Sequence, residues 1–548
     1  MAEDIAPSRQ IESADVVVIG SGVAGALAAH QLALAGKSVI ILEAGPRLSR
    51  ARIVERFRAQ ADKMDFMAPY PSTAWAPHPE YDPPNHYLVQ KGEQRFDSQY
   101  VRAVGGTTWH WAGSAWRFLP NDFRMRSLYG VGRDWPLDYD ALEDDYQRAE
   151  QALGVWGPGP EEELDSPRRA AYPMAPLPLS YNEQVIKSAL NAHDPRWRVV
   201  TEPAARNSLA YDGRPPCCGN NNCMPICPTG AMYNGIVHVD KAERAGARLI
   251  ENAVVHRLEV GLRKRLSAAL YRDAHGVEHR VEGRYFILAA NGIETPKIML
   301  MSTARDYPDG IGNSSGMVGR NLMDHPGTGV QFYADRKLWP GRGPQEMTSL
   351  IGFRDGEFRA RQAGKKIHLS NLSRVDQETR KILDGILDAQ ALPDPARLNA
   401  AIRDRAARFV QFDSFHEILP LPENRVIPSR TAIDAIGIPR PEITYAIDDY
   451  VRRGAAHTRE IYASAAKALG GTDIRFQDAF APNNHITGTA IMGRDARDSV
   501  VDRDCRSFDH DNLFISGSAV MPTVGTVNVT LTIAALALRI ADALKKEI

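Results

Sequence analysis

Four of the five cysteines fall within eleven residues, as Cys217-Cys218-Gly-Asn-Asn-Asn-Cys223-Met-Pro-Ile-Cys227-Pro, and Cys505 stands alone. Disulfides would require the adjacent Cys217 and Cys218 to find partners within one tight loop. Zinc usually takes two well-separated Cys-x-x-Cys pairs, which this run lacks. The closing Cys-x-x-x-Cys-Pro has instead the look of an iron-sulfur ligand run. Neighbouring side chains on an extended chain point apart, so Cys217 and Cys218 are not expected to reach one cluster together, and three thiolates remain. The expectation is a three-iron (3Fe-4S) cluster on Cys218, Cys223 and Cys227 with Cys217 close by. A four-iron (4Fe-4S) cluster on all four is the runner-up, and zinc or disulfides stay open behind it. Cys505 reads as a structural buried thiol.

The second chemical signal is Gly20-Ser-Gly22-Val-Ala-Gly25, with Glu43 18 residues after Gly25. Gly20 permits a tight turn, Gly22 lets the backbone approach a pyrophosphate, Gly25 permits close helix packing, and Glu43 is placed to accept from ribose hydroxyls. The elements around these residues fit that role. Asp15–Ile19 is a short apolar strand, an alanine- and leucine-rich helix runs to about Ala35, and a second strand covers Ser38–Leu42. This βαβ unit binds a dinucleotide, and by itself it leaves NAD and FAD undistinguished.

At 548 residues the chain exceeds one ordinary domain. With 66 basic against 67 acidic residues it has no surplus for nucleic acid. Residues 527–541 form the longest apolar candidate, broken by Asn528 and Arg539, and read as a buried helix, not a membrane span. Residues 1–15 lack the basic segment and apolar core of a signal peptide, so no export signal is expected on this chain. Residues 67–84 and 154–216 hold neither helical nor strand periodicity and read as ordered loops. Strand patterns return at 253–258 and 281–290, so the dinucleotide domain is assembled from separated segments.

Further motifs carry a resemblance: Gly105-Gly106-Thr-Thr108-Trp-His110-Trp111, Ala289-Ala-Asn-Gly-Ile-Glu-Thr-Pro296, Val318-Gly-Arg-Asn-Leu-Met-Asp-His-Pro326, His485-Ile-Thr-Gly-Thr489 and Ser516-Gly-Ser518. Together with the N-terminal fingerprint they resemble the glucose-methanol-choline (GMC) oxidoreductase family over nearly the whole chain. Within it they are most similar to the catalytic subunits of bacterial FAD-dependent glucose dehydrogenase complexes, with gluconate, sorbitol and fructose dehydrogenases as relatives. The resemblance implies an α/β (α+β) fold of GMC type, a Rossmann-like FAD-binding domain interwoven with a sheet-containing substrate domain. The expected segments are 12–70, 85–125, 217–330 and 476–548 for FAD, with the iron-sulfur loop at 217–227. Residues 126–216 and 331–475 are expected to bind substrate and supply lid segments.

By the same resemblance, Gly105, Gly106, Thr108 and His110 lie along the flavin, Val254 near the adenine, and Asp502, Ser518 and Ala519 around the ribityl chain and ring. The Thr-Thr-Trp-His-Trp run departs from the commoner Gly-Gly-Ser-Ser pattern and is similar to the pyranose oxidase branch. That implies a covalent bond from His110 to the flavin's benzenoid methyl group; the alternative is a core histidine among tryptophans. His485 matches the base that takes the substrate hydroxyl proton, a task a neutral imidazole suits. Asn528 matches its partner, donating to the developing alkoxide.

A cluster beside a flavin points to a one-electron acceptor and so to a dehydrogenase. The resembling complexes add a multihaem cytochrome c anchored to the membrane and a small chaperone-like subunit bearing the export signal, which implies a periplasmic enzyme that meets the membrane only through its partner. The expected reaction is oxidation of glucose at its anomeric carbon to the lactone. Gluconate, sorbitol or fructose oxidation, or a non-enzymatic flavin electron-transfer subunit, are the alternatives. Specificity is expected from loops near Ser349 and His368.

Overall fold

The structure, a computed structural model, describes residues 12–63, 65–79, 87–389 and 394–548. Part of the expected loop at 67–84, and most of the N-terminal segment read for an export signal, lie outside the described residues.

A seven-stranded sheet runs in the order Arg248–Ile250, Val39–Leu42, Glu12–Ile19, Glu278–Leu288, Leu266–Arg272, Val254–Val260, with Leu513–Ile515 also pairing the long strand Glu278–Leu288. Its first four strands and Leu513–Ile515 pair in parallel, and the other two are antiparallel. Parallel strands covered on both faces are apolar throughout, as Val16–Ile19 and Val39–Leu42 are. The helix Val23–Leu34 lies between the helices Thr530–Lys545 and Ile236–Arg244, and its alanines allow that close approach. Thr530–Lys545 buries nearly every side chain from Leu531 to Leu538, so it is a core helix. No helix among the described residues is long and apolar enough to cross a membrane.

A second, antiparallel sheet of six strands runs in the order Thr472–Ala481, Gly327–Tyr333, Phe409–His416, Lys365–Leu369, Thr348–Leu350, Val199–Thr201. Period-two alternation sorts its faces. Ile367, Leu369, Val410 and Phe412 pack with Ile461 and Tyr462 of the helix Asp449–Ala468. His368, Ser370, Gln411 and Asp413 turn instead towards a deep cavity of about 490 Å³ lined from both sheets. A third sheet of three short strands, Arg425–Ile433, Pro439–Thr444 and Val89–Gln90, completes the fold.

Three details differ from the sequence expectation. The stretch 154–216 contains a helix, Tyr181–His193, started by the reciprocal capping box of Ser180 and Glu183. The helix Asp140–Leu153, placed in the substrate segment, packs against Thr530–Lys545 in the core of the first sheet. Ser349 and His368 are not loop residues; they face each other as register partners on adjacent strands.

Candidate active site

At one end of the cavity the glycine turn leaves room for a diphosphate. Gly20 has φ +99°, and a Cβ there would sit 2.5 Å from the Ala289 carbonyl oxygen; a Cβ on Gly25 would sit 2.0 Å from the Gly20 oxygen. A Cβ on Gly22 would meet nothing within 4 Å, because Gly22 borders the cavity. Gly22 also precedes a helix with no side-chain cap and no acidic residue in its first turn, so its N-terminus offers N–H groups and partial positive charge to an anion. Gly105 and Gly106, both at positive φ, fold against this turn, and a Cβ on Gly106 would lie 2.9 Å from the Gly22 Cα. The donor set fits the diphosphate of FAD.

Glu43 closes its strand on the cavity wall, where it accepts from Ser21 N at 3.0 Å, Ser21 Oγ at 2.6 Å and Gly45 N at 3.0 Å. It therefore organises the turn as well as facing a ribose position. Burial pushes its carboxyl above the ordinary value, against those hydrogen bonds. Thr108 lines the cavity while its hydroxyl donates to the Gly105 carbonyl and accepts from Gly235 N. Ser518 lines it too, donating to the Ile486 carbonyl, and Ala519 is buried behind.

The side chains of two expected residues, Val254 and Asp502, do not line the cavity. Val254 packs with Ala76 and Ile438, while its neighbours Ala253 and Val255 face the cavity. By strand alternation the Val254 side chain thus turns from the cavity and those of its two neighbours line it. Asp502 does not reach the cavity. Its carboxylate accepts from Asp504 N and Arg506 N at 2.8 and 3.0 Å and closes a turn.

Deeper in, His485 and Asn528 meet: Asn528 Nδ2 lies 3.2 Å from His485 Nε2, and both border the cavity. Asn528 stands two residues ahead of the helix that begins at Thr530. His485 Nδ1 lies 2.9 Å from His325 Nδ1, and His325 Nε2 lies 3.0 Å from the Gly525 carbonyl oxygen. A carbonyl only accepts, so His325 Nε2 donates. Burial holds the His325 imidazole down at about 4, hence neutral, and its Nδ1 must accept. His485 is also held well below the ordinary imidazole value, first by burial and then by the His325, Lys366 and His368 charges. Its Nδ1 therefore donates to His325, and its Nε2 is left unprotonated at the cavity edge, where it accepts from Asn528 Nδ2. That is the tautomer a base requires.

His325 was legible only as part of a motif; its role needed the fold. Asp324 beside it accepts the backbone N–H groups of Asn483, Asn484 and His485 at 3.2, 3.2 and 2.8 Å and so fixes the loop that presents the base.

His110 caps the short 3-10 turn Gly106–Trp109, lines the cavity, and has its Nε2 buried without a hydrogen-bond partner among the described residues. Burial lowers its pKa to about 4, so the ring presents a neutral nitrogen. Trp111, next but one to Trp109, lines the cavity and packs against the buried cluster of Cys223, Cys227, Ala231 and Met232.

All five cysteines are free thiols. Cys223 and Cys227 are buried with Cys217 packed beside them, whereas Cys218 is exposed and takes a 3.1 Å hydrogen bond from Asn220 Nδ2. Of the adjacent pair it is Cys217, not the expected Cys218, that turns inward, because its N–H donates to the Asn207 carbonyl at 2.8 Å and Gly219 follows at positive φ. No three cysteine sulfurs gather within 4.8 Å of one another among the described residues, so they are spaced more widely than one zinc ion would set. Arg206, 1% exposed, lies beside Cys217, Cys223 and Cys227, with Nη1 lacking a hydrogen-bond partner among the described residues. Burial and neighbouring thiols push Cys217 and Cys223 upward. Burial does the same to Cys227, but N–H groups of Met232 and Gly230, the Thr229 hydroxyl and the Arg50 charge outweigh it.

Comparison with known proteins gives a consistent result. Two models described as GMC oxidoreductase match residues 186–327 and 420–537, and an FAD binding domain model matches residues 15–103. The fructose dehydrogenase large subunit of Gluconobacter japonicus is 46% identical over 99% of each chain. The 2-methyl-1,2-propanediol dehydrogenase of Mycolicibacterium austroafricanum is 26% identical, covering 97% of this chain and 95% of that one. Among solved structures, formate oxidase of Aspergillus oryzae RIB40 superposes with a TM-score of 0.63 at 14% identity over 98% of this chain and 99% of that one. Pyridoxine 4-oxidase of Mesorbium loti gives 0.59 at 17% over 96% and 98%; both likenesses concern the fold.

Proposed function

This chain belongs to the GMC oxidoreductase family and is an FAD-dependent enzyme acting on CH–OH donors, and on that premise we propose that it is the catalytic subunit of a fructose dehydrogenase. The observation that carries the chemistry is the His485–Asn528 pair at 3.2 Å, with the unprotonated Nε2 of His485 facing the cavity. Bound FAD supplies the hydride acceptor. His485 Nε2 takes the substrate's hydroxyl proton, and Asn528 Nδ2 donates to the oxygen that becomes negative. Histidine, serine, glutamine and aspartate side chains on the second sheet's cavity face suit a polyhydroxylated substrate. The fructose alternative is favoured over glucose by the 46% identical relative.

The same reading includes a three-iron cluster on Cys217, Cys223 and Cys227, which when bound supplies one-electron relay. The Arg206 Nη1, buried beside the three thiols with no hydrogen-bond partner among the described residues, supports it, since an unsatisfied buried donor is costly and the sulfurs of an anionic cluster would accept from it. It further includes a multihaem cytochrome c partner, a small subunit bearing the export signal and a periplasmic location. Covalent attachment of FAD through His110 is supported by the orphaned, neutral Nε2 on the cavity wall. Acid precipitation that leaves the yellow colour in the supernatant overturns that link.

The test of substrate is anaerobic mixing with fructose, glucose, gluconate and sorbitol separately, following flavin absorbance. Bleaching by fructose at the lowest concentration supports the proposal. Bleaching by glucose alone returns the assignment to the anomeric carbon, and bleaching by none removes the sugar class.

A further inference from the structure

Lys366 is completely buried in the strand Lys365–Leu369, on the same face as His368. Its Nζ lies 3.2 Å from Glu202 Oε1 and 3.1 Å from Asn528 Oδ1, with the Phe415 and Trp116 rings 4.8 and 5.2 Å away. Burial works against the Glu202 charge, but the Lys366 ammonium holds the carboxyl below its usual value, so the pair is ionic. Ser114 and Ser349 also donate to Glu202, which satisfies it without freeing the ammonium.

An ammonium only donates, so Asn528 must turn its oxygen to Lys366 and its NH2 to His485. The hydrogen bonds then run in one sense: Lys366 Nζ to Asn528 Oδ1, Asn528 Nδ2 to His485 Nε2, His485 Nδ1 to His325 Nδ1, and His325 Nε2 to the Gly525 carbonyl. Both ends are anchored by groups that cannot reverse. Protonated His485 would need an acceptor at Nε2, and Asn528 could provide one only by turning its NH2 against the ammonium. We propose that Lys366, held by Glu202, is a positioning residue that locks the Asn528 amide with its NH2 towards the reacting oxygen and denies the resting base a proton at Nε2.

This rests on His485 as base. The charged and titratable groups facing the chain are Glu202 on Lys366, His325, His368 and Lys366 on His485, Glu346 at 3.6 Å on His368, Asp324 on the His485 loop and Glu417 near His325.

The experiment measures the rate of flavin reduction by fructose against pH in the flavin-loaded protein, co-expressed with its partners, for Lys366→Met, Lys366→Gln and Lys366→Arg, with His485→Ala in parallel. Lys366→Met is expected to lower the plateau rate about ten- to a hundredfold and to move the acid limb up by about one pH unit. Lys366→Arg, which keeps donor and charge, should restore most of both. Should Lys366→Met not retain flavin, Lys366→Gln carries the test, since it keeps a donor without the charge: its acid limb should rise while its plateau stays within about fivefold. An unmoved limb in flavin-loaded Lys366→Met or Lys366→Gln overturns the proposal, as does loss of flavin in all three, the signature of a purely structural ammonium. Retained reduction in His485→Ala would instead remove the base assignment, whatever Lys366 does.

Discussion

His485 and His325 meet nitrogen to nitrogen, Nδ1 to Nδ1 at 2.9 Å, and their rings stand nearly perpendicular at 86°. Two neutral imidazoles so placed share one proton, and the Gly525 carbonyl decides which ring carries it. Replacing His485 by Ala removes the base but neither the glycine turn nor the helix N-terminus. The variant should bind flavin as the parent does and reduce it about 10²- to 10⁴-fold more slowly. Anaerobic stopped-flow with fructose measures this, and substantial retained reduction would sink the assignment.

The pH dependence follows from the sign of the His485 shift. Its active form is neutral, and burial with neighbouring positive charge holds the folded value well below the ordinary imidazole value of 6.5. Protonation on acidification is therefore delayed. The reduction rate should stay level as pH falls through 6.5 and decline only below it; an acid limb centred at or above 6.5 contradicts the environment described.

Gly22 and Gly25 separate binding from folding. Gly25→Ala forces a Cβ to within 2.0 Å of a backbone oxygen and should cost about 1–3 kcal/mol or more of stability, read as a lower Tm. Gly22→Val places its side chain in the open space kept for the diphosphate. It should fold with a Tm close to that of the parent apoprotein while losing flavin, read as the visible flavin absorbance per chain.

The thiols should divide three to one. Serine at Cys217, Cys223 or Cys227 should remove bound iron and its paramagnetic signal, while Cys218→Ser should leave both unchanged, because Cys218 is exposed and turned from the other sulfurs. Equal loss in all four variants would favour a four-iron cluster.

Local geometry was legible where one short segment determines it. The strand, glycine turn and helix from Glu12 to Leu34 follow from apolar runs and from glycines whose Cβ atoms have no room. Phase was harder. Strand alternation required one of Val254 and Val255 to face the cavity, and one of Cys217 and Cys218 to turn inward, but only distant partners such as Ala76 and Asn207 determine which. Ser180 and Glu183 carried a helix-start signal that composition hid among prolines. Lys366 and Glu202 lie 119 and 283 residues from His485, and nothing in two adjacent lysines marks them as buried until the register of Lys365 with His416 and of Lys366 with Phe415 places them in the sheet.

Met224, between two of the inward thiols, lines the cavity, and Trp111 touches both cavity and thiol pocket. The chamber and the thiol pocket thus have a partition in common, a single side chain thick. With the proposed cluster among those thiols, selection for a bulkier substrate at Met224 would reshape the cluster's surroundings, and selection at Trp111 for faster electron transfer would reshape the chamber. On that proposal, what this enzyme oxidises and how quickly it discharges do not evolve as separate traits.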